Sequence, residues 1–141
     1  ANPGEALRPL SKVASGGELS RVLLALKAVL SEVDPVVVYV FDEVDSGVGG
    51  AVAEVIGDRL AAVAKAHQVF CITHLPQIAS FGTSHYTVHK DVAGGRTRSG
   101  IVRLATLDER IDELARMAGG RRVTAAARSH ARDLLVRTGR G

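Results

Sequence analysis

Several features are scarce or missing in this chain of 141 residues. Only 4% of its residues are aromatic and tryptophan is absent, which disfavours a nucleic-acid module that stacks bases on aromatic rings. A single cysteine excludes an internal disulfide. No apolar run approaches the roughly 20 residues of a membrane-spanning helix, and no secretory signal is visible at the N-terminus, so we expect no membrane partner. The length suits one globular domain with a hydrophobic core.

Motifs of several enzyme classes are also missing. The histidines and the cysteine lack zinc-ligand spacing, and there is no G-x-S-x-G sequence. There is no G-x-x-x-x-G-K-[S/T] sequence either, and none of the four lysines follows a glycine. Because that loop supplies the backbone N–H groups and the lysine that bind ATP phosphates, we expect the isolated chain to bind ATP weakly or not at all.

The charges are distributed unevenly along the chain. Residues 1–95 carry 7 basic and 10 acidic side chains, whereas residues 96–141 carry 11 basic and 5 acidic ones. Most of the basic residues are arginines, whose planar guanidinium binds phosphate well. The Arg-rich segment 96–141 is therefore a candidate contact for DNA or for an acidic partner. A solvated, Arg-rich helical surface is the alternative.

The hydrophobic pattern predicts an α/β fold. We expect helices at about 16–32, 52–67, 106–117 and 124–137, a short helical turn at 76–80, strands at 36–41 and 69–72, and a hairpin of 86–90 with 97–104. The first two strands and the helix between them form a parallel βαβ unit. Their unbroken apolar runs predict strands buried on both faces. Residues 1–14 show no period and suggest an extended lead-in.

Two short patterns mark helix starts. Ser15 with Glu18, and Thr106 with Glu109, have the spacing of capping boxes. Ser15 also precedes Gly16 and Gly17, and two glycines at a helix N-terminus allow backbone N–H groups to approach an anion. Taken alone, the Ser-Gly-Gly sequence is more typical of a simple helix cap.

Polar residues follow both strands of the predicted βαβ unit. Asp42 and Glu43 come directly after the first strand, at the sheet edge where α/β proteins bind ligands. One carboxylate of such a pair can hold Mg²⁺ while the other orients or deprotonates a water. A capping or surface acidic pair is the alternative. His74 ends the second strand and is expected at the same edge, unless it is a structural histidine. Cys71 lies within that strand and is expected to be buried and inert.

Four motifs together resemble the ATP-binding-cassette ATPases. The sequence A-S-G-G-E-L-S-R at residues 14–21 is similar to their signature motif, and V-V-V-Y-V-F-D-E at 36–43 to their Walker B strand. D-S-G-V-G-G at 45–50 occupies the place of the D-loop, and I-T-H at 72–74 that of the switch histidine. Their order and spacing resemble the chromosome-maintenance (SMC-like) branch. The longer sequence stretches around these motifs, including N-P-G-E and T-H-L-P-Q-I-A, resemble the RecN family of bacterial DNA-repair ATPases. This resemblance covers nearly the whole chain.

This resemblance implies roles on the carboxylate side of an ATP site. Asp42 would hold Mg²⁺ through water, Glu43 would polarise the attacking water, and His74 would contact the γ-phosphate of ATP. Ser46 and Gly47 would form the D-loop. Gly49 stands where many relatives have an aspartate, so a role copied from that aspartate does not carry over.

The resemblance also implies a second head. Ser15, Gly16, Gly17 and Glu18 would bind in trans to the γ-phosphate of ATP held by that head, so hydrolysis would depend on dimer closure. Residues 1–141 would form one domain, the C-terminal lobe of an SMC-type ATPase head, completed by an N-terminal segment that carries the Walker A loop.

The resemblance predicts Mg-dependent ATP hydrolysis and head dimerisation coupled to DNA double-strand-break repair and recombination, in the bacterial cytoplasm near the nucleoid. ATP is then the substrate and Mg²⁺ the cofactor, while the isolated chain is expected to be inactive. Two alternatives stay open: the head fragment of another SMC-like chromosome-maintenance ATPase, and a non-catalytic α/β binding module.

Overall fold

The chain folds into a mixed α/β structure. The computed structural model describes residues 15–30, 33–93, 96–120 and 123–141, so the predicted lead-in over 1–14 lies outside the described residues. The elements in chain order are α1 Gly16–Leu30, β1 Val38–Phe41, α2 Gly50–Val63, β2 Gln68–Cys71, α3 Pro76–Ala79, β3 His85–Ala93, β4 Arg96–Leu104, α4 Leu107–Gly119 and α5 Ala125–Arg137. Each lies within a few residues of its predicted position.

The chain divides into two compact units, Ala1–Thr73 and His74–Gly141. The first contains the predicted βαβ arrangement, because β1 and β2 pair in parallel with Val38 opposite Gln68 and Phe41 opposite Cys71. The connecting helix α2 buries Ala53, Ile56, Gly57, Leu60 and Val63. The parallel βαβ prediction is therefore confirmed.

The prediction that β1 is buried on both faces is wrong for the described residues. Tyr39 and Phe41 are buried, whereas Val38 and Val40 are exposed, Val40 to 65%. Alternate side chains of a strand point to opposite faces, and the described part of this unit covers only the face that carries Tyr39 and Phe41. Phe70 and Ile72 are exposed as well, so this small parallel sheet presents apolar side chains to solvent.

The helix α1 also leaves most of its apolar residues uncovered. Its Leu24 is buried, and the helix lies against α2. The other large apolar side chains of this helix are exposed: Leu19, Val22, Leu23, Leu26, Val29 and Leu30. These residues recur at helical spacing, but within the described residues they do not form part of the core.

The second unit combines an antiparallel hairpin with helices. β3 and β4 pair from His85 opposite Leu104 to Ala93 opposite Arg96, which confirms the predicted hairpin. Residues 94–95 between the two strands lie outside the described residues. The helices α4 and α5 pack on each other through a cluster of buried side chains: Ile111, Leu114, Ala115, Ala131 and Leu135.

Helix caps fix the starts of both long helices in this unit. Thr106 and Glu109 form the predicted capping box at the start of α4, and the side chain of Thr124 accepts a hydrogen bond from the backbone of Ala127. Gly120 ends α4 with a positive φ of 71°, a conformation that favours glycine. None of the helices in the described part of the chain is long and apolar enough to cross a membrane.

Candidate functional site

The candidate carboxylates lie at the end of β1. Asp42 and Glu43 follow the last strand residue, Phe41, and both are exposed. The backbone N–H of Glu43 donates to Oδ1 of Asp42 at 2.9 Å. Glu43 has a φ of +57°, the only positive φ among the described residues other than glycine. A bulky residue in this left-handed conformation is uncommon, and such strain is concentrated at functional sites.

The N-terminus of α1 lies directly against this acidic turn. A Cβ atom at Gly16 would come within 2.6 Å of Oε2 of Glu43. A Cβ atom at Gly17 would lie 2.7 Å from the carbonyl oxygen of Glu43 and 2.8 Å from Cβ of Ser46. Real Cβ atoms essentially never approach a backbone atom so closely, so Gly17 needs glycine for a steric reason. At Gly16 the near atom is the end of a flexible side chain, which can rotate away.

The predicted capping box at Ser15 is confirmed. The backbone N–H of Ser15 donates to Oε2 of Glu18 at 2.7 Å, and the N–H of Glu18 donates to Oγ of Ser15 at 3.4 Å. The Ser15 hydroxyl also donates to Glu18 at 3.1 Å. These hydrogen bonds lower the pKa of Glu18, the backbone bond from Ser15 most of all. Both residues are exposed, which a contact with another molecule requires.

Two further α1 residues, which the sequence analysis missed, hold the same turn. The hydroxyl of Ser20 donates to the carbonyl oxygen of Asp42 at 2.9 Å. Nη1 of Arg21 donates to the carbonyl oxygens of Ser46 at 2.8 Å and Val44 at 3.3 Å. Both follow the Ser-Gly-Gly sequence one helical turn later, a spacing that could have suggested them. One face of α1 thus binds the backbone of the turn at several points.

The D-loop segment is tied to the end of β2 by a second missed pair. Asp45 is buried, and its Oδ2 accepts a hydrogen bond from the Thr73 hydroxyl at 2.6 Å. The N–H of Ser46 donates to the carbonyl oxygen of Glu43 at 3.0 Å, which closes the turn. Gly47 has a φ of 70°, and Ser46 and Gly47 are both exposed. The structure therefore brings the Ser15–Glu18 segment, Asp42 with Glu43, and Ser46 with Gly47 into one cluster.

His74 and Cys71 lie at the end of β2. His74 is exposed and is the first residue of the second unit, so its predicted role beside Glu43 stays a prediction. Cys71 is half-buried rather than fully buried as expected. Its burial, with smaller contributions from the charges of Asp45 and Asp42, raises the pKa of the thiol to about 12. The thiol therefore stays protonated near neutral pH, where a thiolate would be needed for reactivity.

The residues at the end of β1 fit a partial magnesium site. In the part of the chain that the structure describes, no group of three or more His, Cys, Asp or Glu side chains could hold a metal ion. Asp42 is nevertheless an exposed carboxylate, the hard oxygen ligand that Mg²⁺ prefers, and this ion keeps several waters when it also binds phosphates. Asp42 can thus serve as one ligand of a site whose other ligands come from water, nucleotide and other residues.

Comparison with known proteins gives a consistent result. No protein-family model matches the chain. The chain is 55% identical to the DNA repair protein RecN of Deinococcus radiodurans over 96% of its own length and 23% of that protein. It is 50% identical to RecN of Streptomyces coelicolor and 46% identical to RecN of Bacillus subtilis, in each case over 95% of the chain and 23% of the relative.

These relatives extend well beyond the chain, which spans about a quarter of their length. The similarity nevertheless covers nearly every residue of the chain, including the three motifs clustered at the end of β1. Other relatives with the same name share between 44% and 50% of their residues with it. The chain therefore belongs to the RecN family, in which it corresponds to a C-terminal segment.

Proposed function

We propose that this chain is the C-terminal lobe of an SMC-type ATPase head and supplies the carboxylate side of an ATP-hydrolysing site. The observation that carries the proposal is the cluster at the end of β1, where Glu43 lies against the glycines of the Ser-Gly-Gly sequence and donates its backbone N–H to Asp42. The sequence similarity supports the same assignment. Residues 1–141 act as one half of the head, although they contain two compact units.

The chemistry of each side chain at the site indicates its role in the reaction. Glu43 orients the attacking water and accepts its proton, and Asp42 contributes one oxygen ligand to Mg²⁺. The metal, when bound, neutralises charge on the phosphates of ATP. His74 contacts the γ-phosphate. Because phosphoryl transfer depends on positioning and charge neutralisation, the contacts that hold the Asp42–Ser46 turn matter as much as the carboxylates themselves.

The exposed N-terminus of α1 is proposed to act on a second head. Ser15, Gly16, Gly17 and Glu18 would bind the γ-phosphate of ATP held by that head, and Ser46 with Gly47 would form the D-loop at the same interface. A helix N-terminus with accessible N–H groups favours an anion. Hydrolysis then depends on closure of two heads, which makes dimerisation part of the activity.

The rest of the head is proposed to come from an N-terminal segment of the same protein. It would supply the Walker A loop, which this sequence lacks, and cover the apolar faces that this chain leaves open. Those faces include the Val38–Val40 side of the sheet and the outer stripe of α1, where Val29 is 81% exposed. Large contiguous apolar patches are rare on monomeric soluble proteins, so we expect a partner to cover these side chains.

DNA repair is the process in the names of the relatives, and we propose it for this protein. ATP hydrolysis and head dimerisation would be coupled to the repair of double-strand breaks and to recombination. The protein would act in the cytoplasm, near the nucleoid. The Arg-rich segment 96–141 is the proposed contact for DNA.

Substitution of the two neighbouring carboxylates tests this proposal in the longer protein that contains this chain. Glu43→Gln should lower the rate of ATP hydrolysis by about 10²–10⁴-fold, because glutamine cannot accept a proton. ATP binding should persist, and a nucleotide-dependent dimer should accumulate. Asp42→Asn should instead weaken the Mg-dependent binding of ATP, because it removes an anionic ligand of the ion.

Steady-state hydrolysis, nucleotide affinity and sedimentation measure these three properties separately. Glu54→Gln provides a matched control, since it makes the same substitution on α2, in the same unit. A near-normal rate for Glu43→Gln, or equal loss of ATP binding in both variants, would show that the two roles are assigned wrongly.

A further inference from the structure

A cleft in the second unit is lined largely by polar and cationic side chains. It has a volume of about 230 Å³, several times the roughly 30 Å³ that one water molecule occupies in the liquid. It lies where the start of β3, the end of β4, the N-terminus of α4 and the C-terminal residues of the chain meet. Its hydrogen-bonding and charged side chains come from Thr83, Ser84, Arg103, Thr106, Arg110 and Arg140.

All the ionisable side chains that line this cleft are cationic. Arg103 comes from β4, Arg110 from α4 and Arg140 from the turn after α5. The nearest capping carboxylate, that of Glu109, accepts hydrogen bonds from the backbone N–H groups of Ala105 and Thr106. Among the described residues, none of these three arginines forms an ion pair with a carboxylate. The charged side chains in the wall of the cleft are therefore all positive.

Two of the arginines are held in place by the same short turn. Nη2 of Arg110 donates to the carbonyl oxygen of Gly82 at 2.9 Å, and Nε of Arg140 donates to that of Phe81 at 3.4 Å. These bonds fix the two guanidinium groups near each other. They leave Nε of Arg110 buried without a hydrogen-bond partner in the described part of the chain.

This pairing of like charges is unfavourable unless something compensates it. Burial, and then the charge of Arg140, lower the pKa of Arg110. A carbonyl oxygen satisfies one N–H group but does not neutralise a cation. A bound anion would do both, because guanidinium groups donate two parallel hydrogen bonds to phosphate oxygens.

We propose that this cleft binds a phosphate group, with Arg103, Arg110 and Arg140 as its cationic ligands and the hydroxyls of Thr83 and Ser84 at its rim. The phosphate can belong to a nucleic-acid backbone or be free in solution, and the two sources share this chemistry. Only the nucleic-acid source rests on the proposed function in DNA repair. The phosphate site itself depends on the second unit alone.

The first arm of the test uses inorganic phosphate and the 141-residue chain, which has no Walker A loop to bind it. Phosphate should shift the guanidinium NMR signals of Arg110 and Arg140 saturably, and chloride at equal ionic strength should not. Arg103→Gln should weaken phosphate binding several-fold without disturbing the fold, because the side chain of Arg103 makes no hydrogen bond to described residues and its backbone pairing in β4 is kept. Arg98→Gln should leave binding unchanged, since an odd spacing of five residues places it on the opposite face of β4.

The second arm uses duplex DNA and the longer protein that contains this chain. Arg110→Gln and Arg103→Gln should each reduce the slope of log affinity against log salt, by about 0.9 for each lost phosphate contact. Arg59→Gln serves as the control here, because Arg59 is an exposed residue of α2 outside the Arg-rich segment. ATP hydrolysis without DNA should be unchanged in all three variants. That last measurement separates a failure of this site from a failure of the ATPase proposal.

The outcomes decide between the two sources. Phosphate shifts together with a reduced salt slope would support a backbone phosphate of DNA. Phosphate shifts with an unchanged slope would support a site for free phosphate and overturn the nucleic-acid source. Absence of saturable shifts in the folded chain would overturn the phosphate site. Equal effects of Arg98→Gln and Arg103→Gln on phosphate binding would overturn it as well.

Discussion

Gly17 is the most constrained glycine at the candidate site. It is buried, and the atoms nearest to an added Cβ include the backbone oxygen of Glu43 and the side chain of Ser46. A backbone oxygen cannot rotate away as the end of a long side chain can. Relief of the clash would therefore require a shift of α1 or of the Asp42–Ser46 turn.

We predict that Gly17→Ala destabilises the protein and impairs the site together. Overpacking of this kind costs about 1–3 kcal/mol, and displacement of the turn should lower ATP hydrolysis as well. Gly49→Ala is the matched control, because Gly49 has an extended φ of −169° and an added Cβ there would meet no atom within 4 Å. Denaturant unfolding and hydrolysis rates measure both effects. Equal behaviour of the two variants would contradict the steric role of Gly17.

The sequence predicted part of this site. Asp42, Glu43 and the Ser15–Glu18 segment stood out because each forms a local pattern: an acidic pair after a strand, and a capping box before a helix. The bond from Arg21 to Ser46 and that from Thr73 to Asp45 join residues more than 20 positions apart. Such contacts depend on how helix and sheet pack, which no local spacing encodes.

The helix α1 connects two functions in the proposed mechanism. Its N-terminus would bind nucleotide on another head, and the same helix binds the turn that carries its own Glu43. The contacts from Ser20 and Arg21 reach three backbone carbonyl oxygens of that turn, those of Asp42, Val44 and Ser46. Movement of α1 on dimer closure would therefore reposition the catalytic turn.

Arg21→Gln should lower kcat with little change in the KM for ATP. A hydrogen bond from a charged donor is worth about 1.5–3 kcal/mol, so its loss allows a decrease of roughly tenfold or more. Arg21→Lys should recover part of the rate, because it keeps the charge but not the planar fork. Arg59→Gln, an exposed position on α2, is the control. A normal kcat for Arg21→Gln would limit Arg21 to a structural role.

The helices and strands were predicted correctly where the sequence pattern was local. The prediction of burial failed where it depended on residues distant in the sequence. The capping boxes, the parallel βαβ unit and the hairpin were predicted from spacing and turn residues. The apolar run of β1 predicted burial on both faces, yet Val38 and Val40 are exposed. The amino-acid composition of a strand indicates that both of its faces can be buried. Whether each face is buried depends on the elements that pack against it.

The exposed apolar faces of this chain are best explained if another part of a longer protein covers them. It spans about a quarter of the length of its relatives, and the uncovered residues of α1 and β1 belong to the unit that carries the candidate site. An apolar surface of this kind, next to the proposed half of an ATP site, fits an N-terminal segment that would supply the other half. Completion of the site and burial of the surface would then be one event.

Assembly of the two segments should restore ATP binding. Calorimetry on the 141-residue chain alone should detect little binding of Mg-ATP, because the Walker A loop supplies most phosphate contacts. Co-expression with the N-terminal segment of the same protein should give a stable complex that binds ATP. Micromolar binding by the isolated chain would contradict the proposed division of the site.

The substitution Val29→Glu separates assembly from folding. Val29 is exposed in this chain, so a charge there should leave its own fold intact but disfavour burial under the N-terminal segment, with loss of co-purification and of ATP binding together. Val136→Glu on α5 makes the same change at an exposed position of the second unit and should spare both properties. If Val29→Glu assembles as well as Val136→Glu, the N-terminal segment does not cover the outer stripe of α1, and another partner must be sought for that surface.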